Sequence, residues 1–126
     1  MRLEGKRIYV ADDDENVREA LTMILEEEGA KVIGFPDGQK IFTVAALGEP
    51  DCILMDLYMP NSDGFDAIRG IKDFSATSCP ILVVTGHPTE ENLARAKELG
   101  AAGCVSKPLE ADDLIDNVVR LVDGSS

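Results

Sequence analysis

The sequence predicts an α/β fold: five βα units forming an open, doubly wound five-stranded parallel sheet with helices on both faces. Two observations carry this. Short aliphatic runs recur at residues 8–11, 32–35, 52–55, 81–84 and 103–105, and most are apolar at consecutive positions instead of alternating. That is the pattern of strands covered on both faces. Between the runs lie amphipathic segments of helical length, several of them opened by a capping residue. Right-handed crossovers then leave few topologies, and the strand order 2-1-3-4-5 is one of the two common ones.

Taken in order, the run at 8–11 is followed by Asp14, placed to cap a helix whose stripe is Val17, Ala20, Leu21, Ile24 and Leu25 and which Gly29 ends. After 32–35, Asp37 can cap a segment with the stripe Ile41, Val44 and Ala45. The run at 52–55 leads to Asp63, a cap for the stripe Ala67, Ile68, Ile71 and Phe74. After 81–84, Thr89 behind Pro88 opens a fourth helix that closes near Gly100. Its large apolar residues are chiefly Leu93 and Leu99, which makes it the most weakly held of the five. Beyond 103–105, Glu110, Asp112 and Asp113 suit the positive end of a helix dipole and precede a stripe of Ile115, Val118, Val119 and Val122.

One domain over residues 6–122 accounts for this pattern, with 1–5 and 123–126 as flexible ends. The first end is polar and patternless, and the second runs out in Gly and Ser. A chain of 126 residues is long enough for one hydrophobic core. Its 24 acids against 12 bases give a formal charge of −12, and long-range repulsion argues against direct nucleic-acid binding and against an anionic membrane surface. No apolar run is long enough to cross a bilayer and no leader pattern opens the chain, so a cytoplasmic location is expected. Cys52, Cys79 and Cys104 are odd in number and lack C-x-x-C spacing, which reads as reduced core thiols.

In doubly wound sheets, ligands bind outside the carboxyl ends of the strands. Here Asp12-Asp13-Asp14-Glu15 follow the first run, Asp56 the third, Thr85 the fourth and Ser106-Lys107-Pro108 the fifth. Neighbouring strands lie about 4.8 Å apart, so adjacent first and third strands would gather Asp12, Asp13 and Asp56 in one crevice. Two unit charges about 4 Å apart repel by roughly 4 kcal/mol at an effective dielectric of 20, so the cluster calls for a cation or a proton. Mg2+ answers that need, being held by one or two carboxylates together with waters and phosphate oxygens. Helix capping is the favoured reading of Asp14, Asp37 and Asp63. Asp56 is different, because Leu57-Tyr58-Met59-Pro60 after it start no helix. A metal-flanked carboxylate, with the Lys107 ammonium and the Thr85 hydroxyl converging from neighbouring strand ends, is equipment for receiving a phosphoryl group. Asp56 attacks in line, the cations neutralise the equatorial oxygens, the hydroxyl donates to one of them, and an acyl phosphate results.

These residues resemble the receiver domains of bacterial two-component response regulators. The resemblance covers residues 6–122 and is carried by Val10-Ala11-Asp12-Asp13-Asp14, Leu54-Met55-Asp56-Leu57-Tyr58-Met59-Pro60, the Asp63-Gly64 step, Val84-Thr85-Gly86 and Ser106-Lys107-Pro108. It implies that Asp56 takes phosphate from a phosphohistidine on a sensor histidine kinase or a histidine phosphotransfer protein. It also implies that Asp13 binds Mg2+ directly and Asp12 largely through water, that the Tyr58 backbone carbonyl completes the protein's share of the metal shell, and that Thr85 and Lys107 hold the phosphoryl oxygens. A cis Lys107–Pro108 bond is implied as well. On this reading the chain is a signalling domain and not an enzyme with an external substrate. It catalyses its own aspartyl phosphorylation and dephosphorylation and switches a surface read by a downstream protein target or by an output domain outside this chain.

One position departs from the family pattern. Cys104 stands three residues before Lys107, where such domains usually carry an aromatic residue. The readout is therefore expected to rest on backbone and fourth-helix movement, the plain alternative being a small buried thiol without a role. Tyr58 and His87 read first as solvent-facing loop residues, with shielding of the phosphoryl group and orientation of a water as the alternatives. Other function classes fit less well. A flavodoxin-like cofactor binder needs a Ser, Thr and Gly loop after the first strand, where this chain has acids. A docking scaffold has no need of the full Asp56, Thr85 and Lys107 set, and a Mg2+-dependent phosphatase forming an aspartyl phosphate would normally place an acid at Tyr58.

Overall fold

The computed structural model describes residues 2–37, 41, 50–59, 62–74 and 79–123. Its elements are β1 (Arg7–Ala11), α1 (Glu15–Glu27), β2 (Lys31–Phe35), β3 (Cys52–Met55), β4 (Tyr58–Met59), β5 (Ser62–Asp63), α2 (Gly64–Phe74), β6 (Ile81–Thr85), α3 (Glu90–Leu99), β7 (Gly103–Ser106) and α4 (Ala111–Val122). The main sheet runs β2-β1-β3-β6-β7 with every pair parallel. Counted over these five strands alone, that is the predicted order 2-1-3-4-5. The antiparallel pair of β4 with β5 was not foreseen; it occupies the non-helical stretch after Asp56.

Successive strand residues point to opposite faces, and both faces are apolar. Ile8, Val10, Cys52, Leu54, Leu82 and Val84 pack with Leu21 and Leu25 of α1 and Leu114, Ile115 and Val118 of α4. Tyr9, Ala11, Ile53, Met55, Ile81 and Val83 pack with Phe65, Ile68 and Ile71 of α2 and Ala96 of α3. The edge strand β2 departs from the doubly buried pattern: Lys31, Ile33 and Gly34 are exposed, since only β1 flanks it within the sheet. Of the second predicted helix, only Ile41 lies within the described residues, and it is buried in the core. The rest of that stripe, Val44 and Ala45, lies outside them.

Caps follow the predicted residues. Asp14 Oδ1 accepts from the N–H of Asn16 at 2.9 Å and of Val17 at 3.4 Å, and Asp63 Oδ1 accepts from Phe65 N–H at 2.8 Å. Thr89 Oγ1 accepts from Asn92 N–H at 3.1 Å, and α3 closes at Gly100, whose φ of 114° favours glycine. Glu110 stands at the cap of α4 without a side-chain bond. The stripes need small amendment: Ala20 is exposed, while Phe65 and Leu114 join the core.

Residues 2–5, which the sequence places in a patternless end, pack against the domain. Leu3 is fully buried in the cluster that holds Leu25 and Val118, its N–H donates to Glu28 O at 2.8 Å, and Arg2 pairs with Asp116 at 2.8 Å. A single apolar side chain in a polar stretch has no periodicity to reveal that it fills a gap in the core. Cys52 and Cys79 are buried and Cys104 is half-buried. Burial pushes the Cys52 thiol far above its ordinary range, as suits an inert core residue. The Lys107–Pro108 bond is cis. Among the described residues, no helix is long and apolar enough to cross a membrane.

The helix expected to be most weakly held buries only Ala96. A cleft of about 290 Å³, lined by Leu93, Ala96, Gly103 and Cys104, lies between α3 and β7. Amides of α3 are expected to exchange with solvent at least about tenfold faster than the interior amides of α1 and α4, as hydrogen exchange read by mass spectrometry will show.

Candidate functional site

Strand register brings the chemical groups to one rim. Ala11 lies beside Phe35 and Met55, Met55 beside Val83, and Thr85 beside Ser106. The residues that continue these strands therefore leave the sheet together. Asp12 N–H donates to Phe35 O at 3.1 Å, Asp56 N–H to Ala11 O at 3.0 Å and Lys107 N–H to Thr85 O at 2.8 Å, so backbone pairing carries each residue to its place.

The predicted side chains meet. Asp12, Asp13 and Asp56 each offer a carboxylate oxygen, and these oxygens lie within 4.8 Å of one another. Lys107 Nζ bridges the two more buried members, at 2.8 Å from Asp12 Oδ2 and 3.2 Å from Asp56 Oδ2. Asp12 is 1% exposed, Asp56 7% and Thr85 0%, whereas Asp13 is open to solvent. Asp12 Oδ1 also accepts from Asp14 N–H at 2.9 Å. Thr85 Oγ1 accepts from His87 N–H at 3.0 Å, which leaves the hydroxyl its own proton to donate.

Tyr58 and His87 are not isolated loop residues. Tyr58 N–H donates to Asp56 Oδ1 at 3.4 Å, its hydroxyl donates to Asn92 Oδ1 at 3.1 Å, and its ring meets that of His87 edge-on at 4.9 Å. Both remain exposed, Tyr58 by 49%. One contributor is absent from the sequence reading, and another is present there only as half of a motif. Arg18 Nη1 donates to the Asp12 carbonyl at 2.7 Å, yet an arginine on a surface helix carries no signal of that bond. Gly64, part of the Asp63-Gly64 step, lies against the backbone that follows β3. A Cβ there would approach the Asp56 carbonyl oxygen and sit 2.6 Å from Leu57 Cα, so only glycine lets α2 begin so close to Asp56.

Like charges dominate the electrostatics. Among the described residues, Lys107 alone makes a salt bridge to these carboxylates, and it reaches two of the three, Asp12 and Asp56. Burial pushes the Asp56 carboxyl above the ordinary carboxylate range; Lys107 opposes the rise and Asp12 adds to it. For Lys107, burial disfavours the charged form, but hydrogen bonding to Asp12 and the charges of Asp56 and Asp12 outweigh it and raise the ammonium above its usual value. Three incompletely neutralised, hard oxygen donors within reach of one point fit a hard divalent cation.

Compared with known proteins, residues 8–119 match the family described as response regulator receiver domain. The chain is 36% identical over 111 residues to the transcriptional regulatory protein PdtaR of Mycobacterium tuberculosis, covering 87% of this chain and 53% of that protein. It is 30% identical over 119 residues to protein PilH of Pseudomonas aeruginosa, covering 94% and 98% respectively. In fold it is similar to the receiver domain of the Francisella response regulator 1452, with a TM-score of 0.88 at 23% identity over 97% of this chain and 100% of that one. The chain thus spans about half the length of the mycobacterial relative and nearly all of PilH.

Two stability predictions follow from the crowding at this rim. An acid whose folded-state pKa lies above its unfolded value disfavours folding once both states are ionised, and that penalty disappears below the unfolded value. Asp56→Asn is therefore expected to raise Tm by a few degrees at pH 7 in EDTA. The gain should shrink as pH falls into the carboxylate range, where Asp56 itself takes up a proton; thermal melts across pH check both the sign and the trend. Gly64→Ala, by contrast, is expected to cost on the order of 2–4 kcal/mol in urea unfolding, because backbone and not a flexible side chain must move to admit the methyl group.

Proposed function

The chain belongs to the response regulator receiver domain family, and from that premise we propose that Asp56 is its phosphoacceptor, served by Lys107 and Thr85. The observation that supports this most directly is the Lys107 ammonium joined to Asp12 at 2.8 Å and to Asp56 at 3.2 Å, at the rim where Thr85 ends its strand. As a receiver domain of a two-component response regulator, the protein is a signalling domain.

The donor in this reading is a phosphohistidine on a sensor histidine kinase or histidine phosphotransfer protein. An Asp56 carboxylate oxygen attacks phosphorus in line, the P–N bond breaks, and its electron pair stays with the departing imidazole. Lys107 Nζ then faces a phosphoryl oxygen in place of part of its bond to Asp56, and the Thr85 hydroxyl donates to another. Asp12, Asp13 and Asp56, with the Tyr58 backbone carbonyl, would hold Mg2+. When bound, that ion supplies positive charge against the carboxylates and the phosphoryl oxygens. The buried Asp56 is ready to react only when ionised, so Lys107 contributes twice: it opposes the burial that favours the protonated acid, and it neutralises the incoming group.

Residues 6–122 form the receiver unit, with 2–5 packed on it as a brace. The domain catalyses its own phosphorylation and dephosphorylation and turns over no external substrate. It resides in the cytoplasm, and its output is a protein target or an output domain outside this chain. With a formal charge of −12 the chain does not itself bind nucleic acid or an anionic membrane surface. Incubation of the chain with acetyl phosphate and Mg2+ is expected to give one phosphoryl adduct by intact-mass spectrometry. The adduct should be absent in Asp56→Asn and in EDTA; an adduct that persists in Asp56→Asn places the acceptor elsewhere.

A further inference from the structure

We infer that Asn92 is a positioning residue for the acceptor site: its carboxamide holds Tyr58 and His87 together across the rim beside Asp56 and thereby sets how readily water reaches the aspartyl phosphate. This rests on the reading of Asp56 as the phosphoacceptor. Asn92 lies in the first turn of α3. Its Nδ2 donates to the His87 carbonyl at 2.9 Å. A carbonyl only accepts, so the orientation of the amide is determined: Oδ1 faces the Tyr58 hydroxyl at 3.1 Å, and the hydroxyl donates. An aspartate could not make both bonds, because its second oxygen would oppose the His87 carbonyl.

Each ring is anchored to a different group of the site. Tyr58 and His87 lie two residues past Asp56 and Thr85, and their backbone N–H groups bind the Asp56 carboxylate and the Thr85 hydroxyl. The rings meet edge to face at 4.9 Å and 70°, joining the ends of β3 and β6 on the side toward α3. Tyr58 also meets Phe65 at 6.4 Å, and the Arg95 guanidinium of α3 lies 4.1 Å from the centre of the Phe65 ring. Tyr58 is 49% exposed and has room to swing outward once the hydroxyl tie is lost. The core contacts of α3 are made by Ala96 and Leu99, neither of which lies in its first turn. The polar tie therefore carries a large share of what holds this helix turn and the two rings in one arrangement.

The test uses the full chain, phosphorylated with acetyl phosphate and Mg2+ and freed of donor, with loss of the adduct followed by intact mass. Tyr58→Phe is expected to shorten its lifetime about threefold, the ratio open to the loss of one exposed hydrogen bond, and Asn92→Ala, which also loses the bond to the His87 carbonyl, by at least as much. The double variant should be no shorter-lived than Asn92→Ala, because that variant already lacks the Tyr58 contact. Thr89→Ala, which removes the cap on the Asn92 N–H but spares the carboxamide, should keep the wild-type lifetime. Unchanged decay in Asn92→Ala, multiplying effects in the double variant, or an equal loss in Thr89→Ala overturns the positioning role while leaving Asp56 as acceptor. Absence of any adduct on the unmodified sequence overturns both.

Discussion

One ammonium ties the carboxyl ends of three strands together. Lys107, just past β7, reaches Asp12 at the end of β1 and Asp56 at the end of β3, while Asp13 adds a third negative charge to the same corner. In a medium of low polarity, like charges at this spacing repel by several kcal/mol unless something opposes them. The core beneath does not need this arrangement: a hydrophobic rim would spare the sheet the repulsion. A cluster that costs stability and leaves acids short of positive charge makes sense as a place prepared for further positive charge and for a phosphoryl group.

The parts of the site visible in the sequence are those that continue a strand. Asp12, Asp56 and Thr85 sit where apolar runs end, and parallel pairing brings such ends to one rim, so their meeting follows from sheet order alone. Lys107 belongs to the same class, one residue beyond β7. What stayed hidden lacks any periodic signature. The Tyr58–Asn92 bond joins residues 34 apart, Arg18 reaches back to a carbonyl from an ordinary helix surface, and Leu3 is a lone apolar residue among polar neighbours. Gly64 was visible as half of a motif, but its reason, the approach of a helix start to the Asp56 backbone, is purely three-dimensional.

Cys104, the departure from the family pattern, lies half-buried on β7 and lines the cleft that separates that strand from α3. A thiol fills little of that space, so β7 offers α3 few contacts there. The helix is supported by Ala96 and Leu99 against the core and by the polar and aromatic contacts of its first turns. Asp56 is linked to the first turn of α3 through Tyr58 and Asn92, and to the end of β7 through Lys107.

The two faces of the sheet differ in the same sense. On one face, α1 and α4 bury several aliphatic side chains each against β1, β3 and β6, and their positions are set by an area of contact that no change at the rim removes. On the other, α3 buries only Ala96 fully and packs Leu99 against the core, and its first turn is also tied by hydrogen bonds to Tyr58 and His87, whose N–H groups are bonded to Asp56 and Thr85. Net hydrogen-bond contributions at exposed positions are small compared with the burial of several aliphatic residues, so α3 is the element whose position costs least to change. If Asp56 is the acceptor proposed above, a coupling between it and α3 is a free energy shared by two sites and would act in both directions: a group on Asp56 would shift α3, and whatever holds α3 would shift the rim by the same amount.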